Sequence, residues 1–176
     1  MSSIVVLVGN PRPLSRTHEA AHLVTEALTG RQPDHSIDLA DLGPALFDRD
    51  DPRVAAAATA VQGASLLVVA SPTYKASYTG LLKLFLDGLP PDALSGTTVV
   101  PLLLGGHWRH SLAAELLLKP VLVELGGTAP TRGLFLLDSE YKASQELEKW
   151  LTTARPQVTA ALAAQTSKPD LKQALR

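Results

Sequence analysis

Cysteine is absent from the 176 residues. That excludes disulfides, thiolate metal sites, cysteine nucleophiles and dithiol redox chemistry, although it fixes no compartment. Neither sign of charge dominates. Sixteen Lys and Arg stand against 17 Asp and Glu, for a formal net charge of −1, so the basic footprint of a nucleic-acid binder is missing. No apolar run approaches the roughly 18 uninterrupted residues of a membrane span. The opening Met1-Ser2-Ser3 carries no cationic side chain, and the apolar run after it is too short for an export signal. A cytoplasmic protein that binds neither nucleic acid nor membrane is expected by elimination.

What is present is a globular composition, 45% hydrophobic and 19% charged, which rules out a disordered chain. The length suits one domain over residues 1–176. Such a chain buries on the order of 70% of its unfolded surface and needs no covalent staple. Short apolar runs alternate with longer amphipathic segments. Strands are expected at Ile4–Val8, 35–39, 66–70, 97–104 and 133–137. Helices are expected at 15–28, 54–62, 79–89, 111–125 (kinked or divided by Pro120) and 141–164 (split by Pro156). Ser15 or Thr17 would cap the first helix and Gly30 would end it. Residues 44–53 read as loop, and 165–176 as a polar, frayed tail. Strands alternating with crossover helices imply a parallel sheet covered on both faces. Five of them fit a flavodoxin-like doubly wound α/β fold rather than an eight-stranded barrel.

In such sheets ligands bind at the carboxyl ends of the strands, and three of these ends are unusual. Gly9-Asn10-Pro11-Arg12-Pro13-Leu14-Ser15-Arg16-Thr17 is neither a dinucleotide fingerprint nor a P-loop. It does set hydroxyls and guanidiniums around a helix start, where backbone N–H groups and the helix dipole favour an anion. A capped helix with solvated arginines is the competing reading. Ser71-Pro72-Thr73-Tyr74-Lys75-Ala76-Ser77-Tyr78 offers an extended backbone and aromatic surface. Alone it reads more simply as a proline turn. Gly105-Gly106-His107-Trp108-Arg109-His110 lets the backbone approach a ligand closely. Its two histidines lack a third metal ligand nearby, and no G-x-S-x-G elbow is present.

Taken together, these loops resemble those of the NAD(P)H-dependent FMN reductases of flavodoxin-like fold. They are most like the branch that supplies reduced FMN to two-component alkanesulfonate monooxygenases. The specific pieces are residues 71–87 (SPTYKASYTGLLKLFLD), matching P-x-Y-x-x-S-x-x-G-x-L-K-x-x-x-D, residues 9–17 (GNPRPLSRT), and PLLLGGH with LKPVL at 118–122. The resemblance implies that Arg12, Ser15 and Thr17 hold the FMN phosphate, with Arg16 close by. Asn10, where the family usually has Ser, stays in that loop as an amide donor. Pro72, Thr73, Tyr74 and Lys75, with Ser77, would line the isoalloxazine and ribityl side. Gly105, Gly106 and His107 would meet the polar edge of the ring. Lys83 and Asp87 are expected as a surface or subunit-contact pair. A homodimer or homotetramer is implied, as is a flavin-dependent monooxygenase partner.

The implied cofactors are FMN and NADPH or NADH. The nicotinamide delivers hydride to the flavin, so no catalytic acid or base is expected. Backbone N–H groups of 105–107 are the candidates for stabilising charge on the ring. In the sulfonate-linked branch an inserted aromatic or His widens one helix to a π-bulge that bears on flavin exchange. Leu116 stands at the matching position, and leucine, a good helix former, gives no polar reason for a bulge there. The rival readings are an FMN-retaining quinone or azo reductase of the same fold, a flavodoxin-type electron carrier, and a cofactor-free regulatory module.

Overall fold

In the computed structural model, which describes residues 2–166, five strands form one parallel sheet. They are Ile4–Val8 (β1), His35–Asp38 (β2), Leu66–Pro72 (β3), Thr98–Gly105 (β4) and Leu134–Leu137 (β5), in the order β2-β1-β3-β4-β5. This is the flavodoxin-like order, and chain direction across the sheet reverses between β1 and β3. Val8 pairs with Asp38 on one side and Ala70 on the other, so the loops that leave β1 and β3 diverge from a common point.

Both faces of the sheet are covered. Val5, Leu7, Leu67, Val69 and Leu103 pack with helices Pro52–Gln62 (α3), Gly80–Asp87 (α4) and Lys119–Glu124 (α5). Ile4, Val6, Val8, Val68 and Leu102 pack with Arg16–Thr29 (α1) and Gln145–Thr166 (α6). Each fully buried Val or Leu of these strands contributes about 1.5–3 kcal/mol. Alternate residues meet opposite cores, which is why the strands read as unbroken apolar runs. Ser15 caps α1 by accepting from His18 N–H, and Gly30 ends it in the left-handed region at φ 74°. Lys83 and Asp87 form an exposed ion pair at 2.7 Å.

Several boundaries differ from expectation. β3 does not stop at Ala70: Ser71 and Pro72 pair with Leu103 and Leu104. Proline is tolerated there because it is the last strand residue, and Thr73 N–H restores a bond to Leu104 O at 2.6 Å. The expected loop at 44–53 is partly helical. A short helix Leu39–Leu42 (α2) runs into a 3-10 turn Gly43–Phe47, and α3 begins at Pro52 behind the capping side chain of Asp51. Pro156 lies inside α6 without splitting it. It is exposed, so the carbonyl it leaves without a donor faces water. Gln165, expected to fray, donates to Thr98 Oγ1 at 2.7 Å. Residues 167–176 of the expected tail lie outside the described residues.

The largest departure is at 111–125. The expected division near Pro120 is present, but it takes the form of a π-helix, Ala114–Leu118, that leads into α5, with Pro120 in the first turn of the latter. Leu116, which gives no polar reason for a bulge, lies inside the π segment, and the cause is not at Leu116, whose side chain is exposed. Pro120 has no N–H to offer the Leu116 carbonyl, so one i→i−4 bond is missing. The chain before β5 also presses in. A Cβ on Gly133 would stand 2.5 Å from Glu115 N and 2.6 Å from the Ala114 carbonyl carbon. Glu115 Oε2 accepts from Gly133 N–H at 2.5 Å. Lys119 Nζ bridges Glu115 Oε1 and the Thr131 carbonyl, both at 2.9 Å. Burial pushes the Glu115 carboxyl up, but the Gly133 N–H and the Lys119 ammonium outweigh it and hold the group below its ordinary value.

Candidate active site

A cavity of about 470 Å³ opens at the carboxyl ends of β1, β3 and β4, the place a doubly wound sheet reserves for ligands. Asn10, Arg12, Ser15, Arg16, Thr17, Pro72, Thr73, Tyr74, Gly105 and Gly106 all line it, as expected from sequence. Lys75, Ser77 and His107 do not. Tyr74 and Ser77 exchange backbone hydrogen bonds at 2.9 and 3.2 Å, closing a two-residue turn. Its central residues Lys75 and Ala76 both lie at positive φ, 52° and 67°. Non-glycine residues so placed cost about 1–2 kcal/mol each, and the turn carries Lys75 out to solvent. His107 is extended and exposed, and opens the 3-10 turn Trp108–His110. Pro13, Leu14, Leu104 and Asp138 line the cavity without having been foreseen.

The loop after β1 is braced from within. Asn10 is buried, and its amide is used on both arms: Nδ2 donates to Thr17 Oγ1 at 3.0 Å and Oδ1 accepts from Arg12 N–H at 2.9 Å. It props the loop rather than aiming a donor outward. Ser15 Oγ accepts from His18 N–H at 3.3 Å, which leaves its hydroxyl proton to donate. Arg12 and Arg16 are exposed beside the N-terminus of the 14-residue α1, and Arg16 reaches Asp138 beyond β5 at 3.7 Å. Leu14 is held at φ 48° by its N–H bond to Asp38 Oδ2 at 3.1 Å. Asp38, buried at the end of β2, also takes Ala40 N–H at 3.3 Å and faces His18 Nδ1 at 3.4 Å. The His18 ring stacks on His22, centroids 4.5 Å apart. The signal that could have revealed Asp38 was local: an acidic residue between a strand and a helix is a capping position.

The other end of the cavity is built by close packing. A Cβ at Gly9 would lie 2.5 Å from Leu82 Cβ, so glycine lets α4 sit directly on the end of β1. Thr79 completes the joint, donating to Gly9 O at 2.5 Å and capping Leu82 N–H at 3.2 Å. At Gly105 a Cβ would meet Phe135 Cζ at 2.8 Å, whereas at Gly106 it would meet nothing within 4 Å. Gly105 is thus fixed by packing, and Gly106 faces open space. Thr73 Oγ1 is buried with no hydrogen-bond partner among the described residues, a condition that costs about 1–3 kcal/mol. In the first turn of α1, Glu19 accepts from Tyr141 at 2.6 Å, and Lys142 adds an ion pair at 2.9 Å. The Tyr141 hydroxyl and Lys142 hold the Glu19 carboxyl below its usual value. Among the described residues no group of three or more His, Asp or Glu is placed to hold a metal ion.

Residues 2–142 match the family described as NADPH-dependent FMN reductase. The chain belongs to this family. An FMN reductase (NADPH) of Escherichia coli is 38% identical over 141 residues, covering 78% of this chain and 74% of that relative. The NADH-dependent FMN reductase SfnF of Pseudomonas fluorescens is 31% identical over 180 residues, covering 98% and 96%. The apo crystal structure of an NADH:FMN oxidoreductase superposes with a TM-score of 0.83 at 33% identity, covering 96% of this chain and 92% of that one. For a member of the FMN reductase family the cavity has fitting chemistry. It carries arginines and hydroxyls at a helix N-terminus for a phosphate, an unpartnered hydroxyl at Thr73 for a polar group, and open approach at Gly106 for a planar ring.

Proposed function

We propose that this chain is an NAD(P)H:FMN oxidoreductase that takes FMN from solution and releases it reduced to a flavin-dependent monooxygenase. The observation that carries the reading is the cavity at the β1/β3 divergence, with a cationic, hydroxyl-bearing helix start at one end and the unpartnered Thr73 hydroxyl at the other. FMN, when bound, supplies the acceptor for hydride from the nicotinamide.

The chain's own groups bind and orient. Arg12, Ser15, Thr17 and the α1 N-terminus hold the phosphate, and Arg16 adds charge at the rim. Pro72, Thr73 and Tyr74 border the ring and its ribityl chain, and Gly105-Gly106 bring backbone to the ring's polar edge. No side-chain acid or base is required. The π-helix at Ala114–Leu118, which the family resemblance ties to flavin exchange, supports release over retention. The FMN reductase names of the relatives support the reaction. Exposed Leu112, Leu116, Leu117 and Val123 around the π segment support a homo-oligomer. A reaction that draws on NAD(P)H and free FMN suits the cytoplasm.

The test compares FMN with riboflavin, which lacks the phosphate. Arg12→Ala should weaken FMN by about one to two decades, the worth of a charge-assisted hydrogen bond, and leave riboflavin nearly unchanged. Equal weakening of both flavins would sink the assignment of the phosphate end.

A further inference from the structure

A second concavity of about 400 Å³ lies beside the flavin cavity, between the end of β4, β5 and the first turns of α6. Its walls include Trp108, Arg132, Phe135, Glu146, Lys149 and Trp150. Both tryptophans of the chain are therefore in it. The volume is in the range of small-ligand sites. Two indoles with two cations are the recognition surface of a phosphorylated purine: aromatic faces for the base, ammonium and guanidinium for the phosphate. Neither Arg132 nor Lys149 makes an ion pair among the described residues. Both side chains are exposed to the trough.

The trough is continuous with the flavin site. Trp108 comes two residues after Gly106, and its ring packs at 5.7 Å on Phe135, the ring that holds Gly105 to a bare backbone. A further hollow shares Trp108, Glu146 and Lys149 with it and reaches Ser139, the neighbour of Asp138 in the flavin cavity. A dinucleotide whose nicotinamide lies over a flavin in the neighbouring cavity must send its adenosine half across the protein surface, and the trough lies on that surface.

We propose that the trough receives the adenosine 2′-phosphate half of NADPH, with adenine against Trp108 and Trp150 and the 2′-phosphate at Arg132 and Lys149. Among the described residues Glu146 is the one carboxylate lining the trough, and these two cations outnumber it, so the trough favours the phosphorylated nucleotide over NADH. The proposal rests on the reductase reading of the flavin cavity and deepens it by naming the nucleotide-reading residues.

The test uses adenosine 2′,5′-bisphosphate and adenosine 5′-monophosphate as probes, read by tryptophan emission of the flavin-free protein. FMN affinity is measured in parallel. The 2′-phosphate should tighten binding by about tenfold in the native chain. Lys149→Ala and Arg132→Ala should each remove most of that difference, Lys149→Arg should keep it, and FMN affinity should stay unchanged in all three. In turnover the same two alanine variants should raise the KM for NADPH by about tenfold and that for NADH by less than about threefold. Equal affinity of the native chain for the two probes, or a difference that survives both alanine variants, overturns the proposal. So does an equal rise in KM for both nucleotides, which would put the cations on the pyrophosphate. Failure of the native chain to bind FMN at all would instead strike the reductase reading on which the proposal stands.

Discussion

Replacing Thr73 by valine should move stability and flavin affinity in opposite directions. Thr73 Oγ1 is buried and lacks a hydrogen-bond partner among the described residues, so the flavin-free protein bears a desolvation cost of about 1–3 kcal/mol. Valine has the same branched shape and rotamer preference, and the position directly follows β3. Thr73→Val should therefore recover about 1 kcal/mol in the flavin-free state, a rise of roughly 2–4 °C in Tm for a chain of this length. The same change removes one neutral hydrogen bond to the ligand. At about 0.5–1.5 kcal/mol this weakens FMN by roughly three- to tenfold. The assay is thermal unfolding without flavin together with a calorimetric FMN titration. A lower Tm accompanied by native FMN affinity would show that the hydroxyl serves the fold and not the ligand.

Other sites should respond in ways that separate loop support from packing. Asp38→Ala removes the acceptor for Leu14 and Ala40 N–H. It should cost about 2–3 kcal/mol in denaturant unfolding and weaken FMN more than riboflavin, with Asp38→Asn recovering part of both; equal loss for the two flavins would deny Asp38 a role in the phosphate loop. Glu115→Gln should cost about 1 kcal/mol at pH 7. Because the folded carboxyl sits below its ordinary value, its contribution is present above the unfolded pKa and is lost as pH falls through the folded one. The stability gap between the variant and the native chain should therefore narrow on acidification, and a gap that is constant with pH would refute the ion-pair account.

Legibility from sequence followed the range of the interactions. The runs Ile4–Val8 and Leu66–Ala70 declare a two-sided sheet because every residue in them must be apolar, and their loops declare the ligand end because helix starts and prolines are local signals. The π-helix was not legible. Pro120 announced a break in the helix, but the form of the break depends also on contacts from Gly133 and Thr131, which are remote in sequence. Lys75 and His107 stay out of the cavity lining for a related reason. Their neighbours Tyr74 and Gly106 do line the cavity, but a left-handed turn and a 3-10 turn carry the adjoining side chains outward. Asp138 follows β5 and carries no motif that marks it, and Asp38 props the loop from the end of the weakly patterned β2, where only a capping position marks it.

The most direct test of the central claim is steady-state NADPH oxidation with free FMN varied, run beside gel filtration of the protein at micromolar concentration. Turnover should saturate with added FMN, and the filtered protein should emerge without stoichiometric yellow colour. A protein that stays fully yellow, ignores added FMN and passes electrons to a quinone by ping-pong kinetics would contradict the account and establish a resident-flavin reductase.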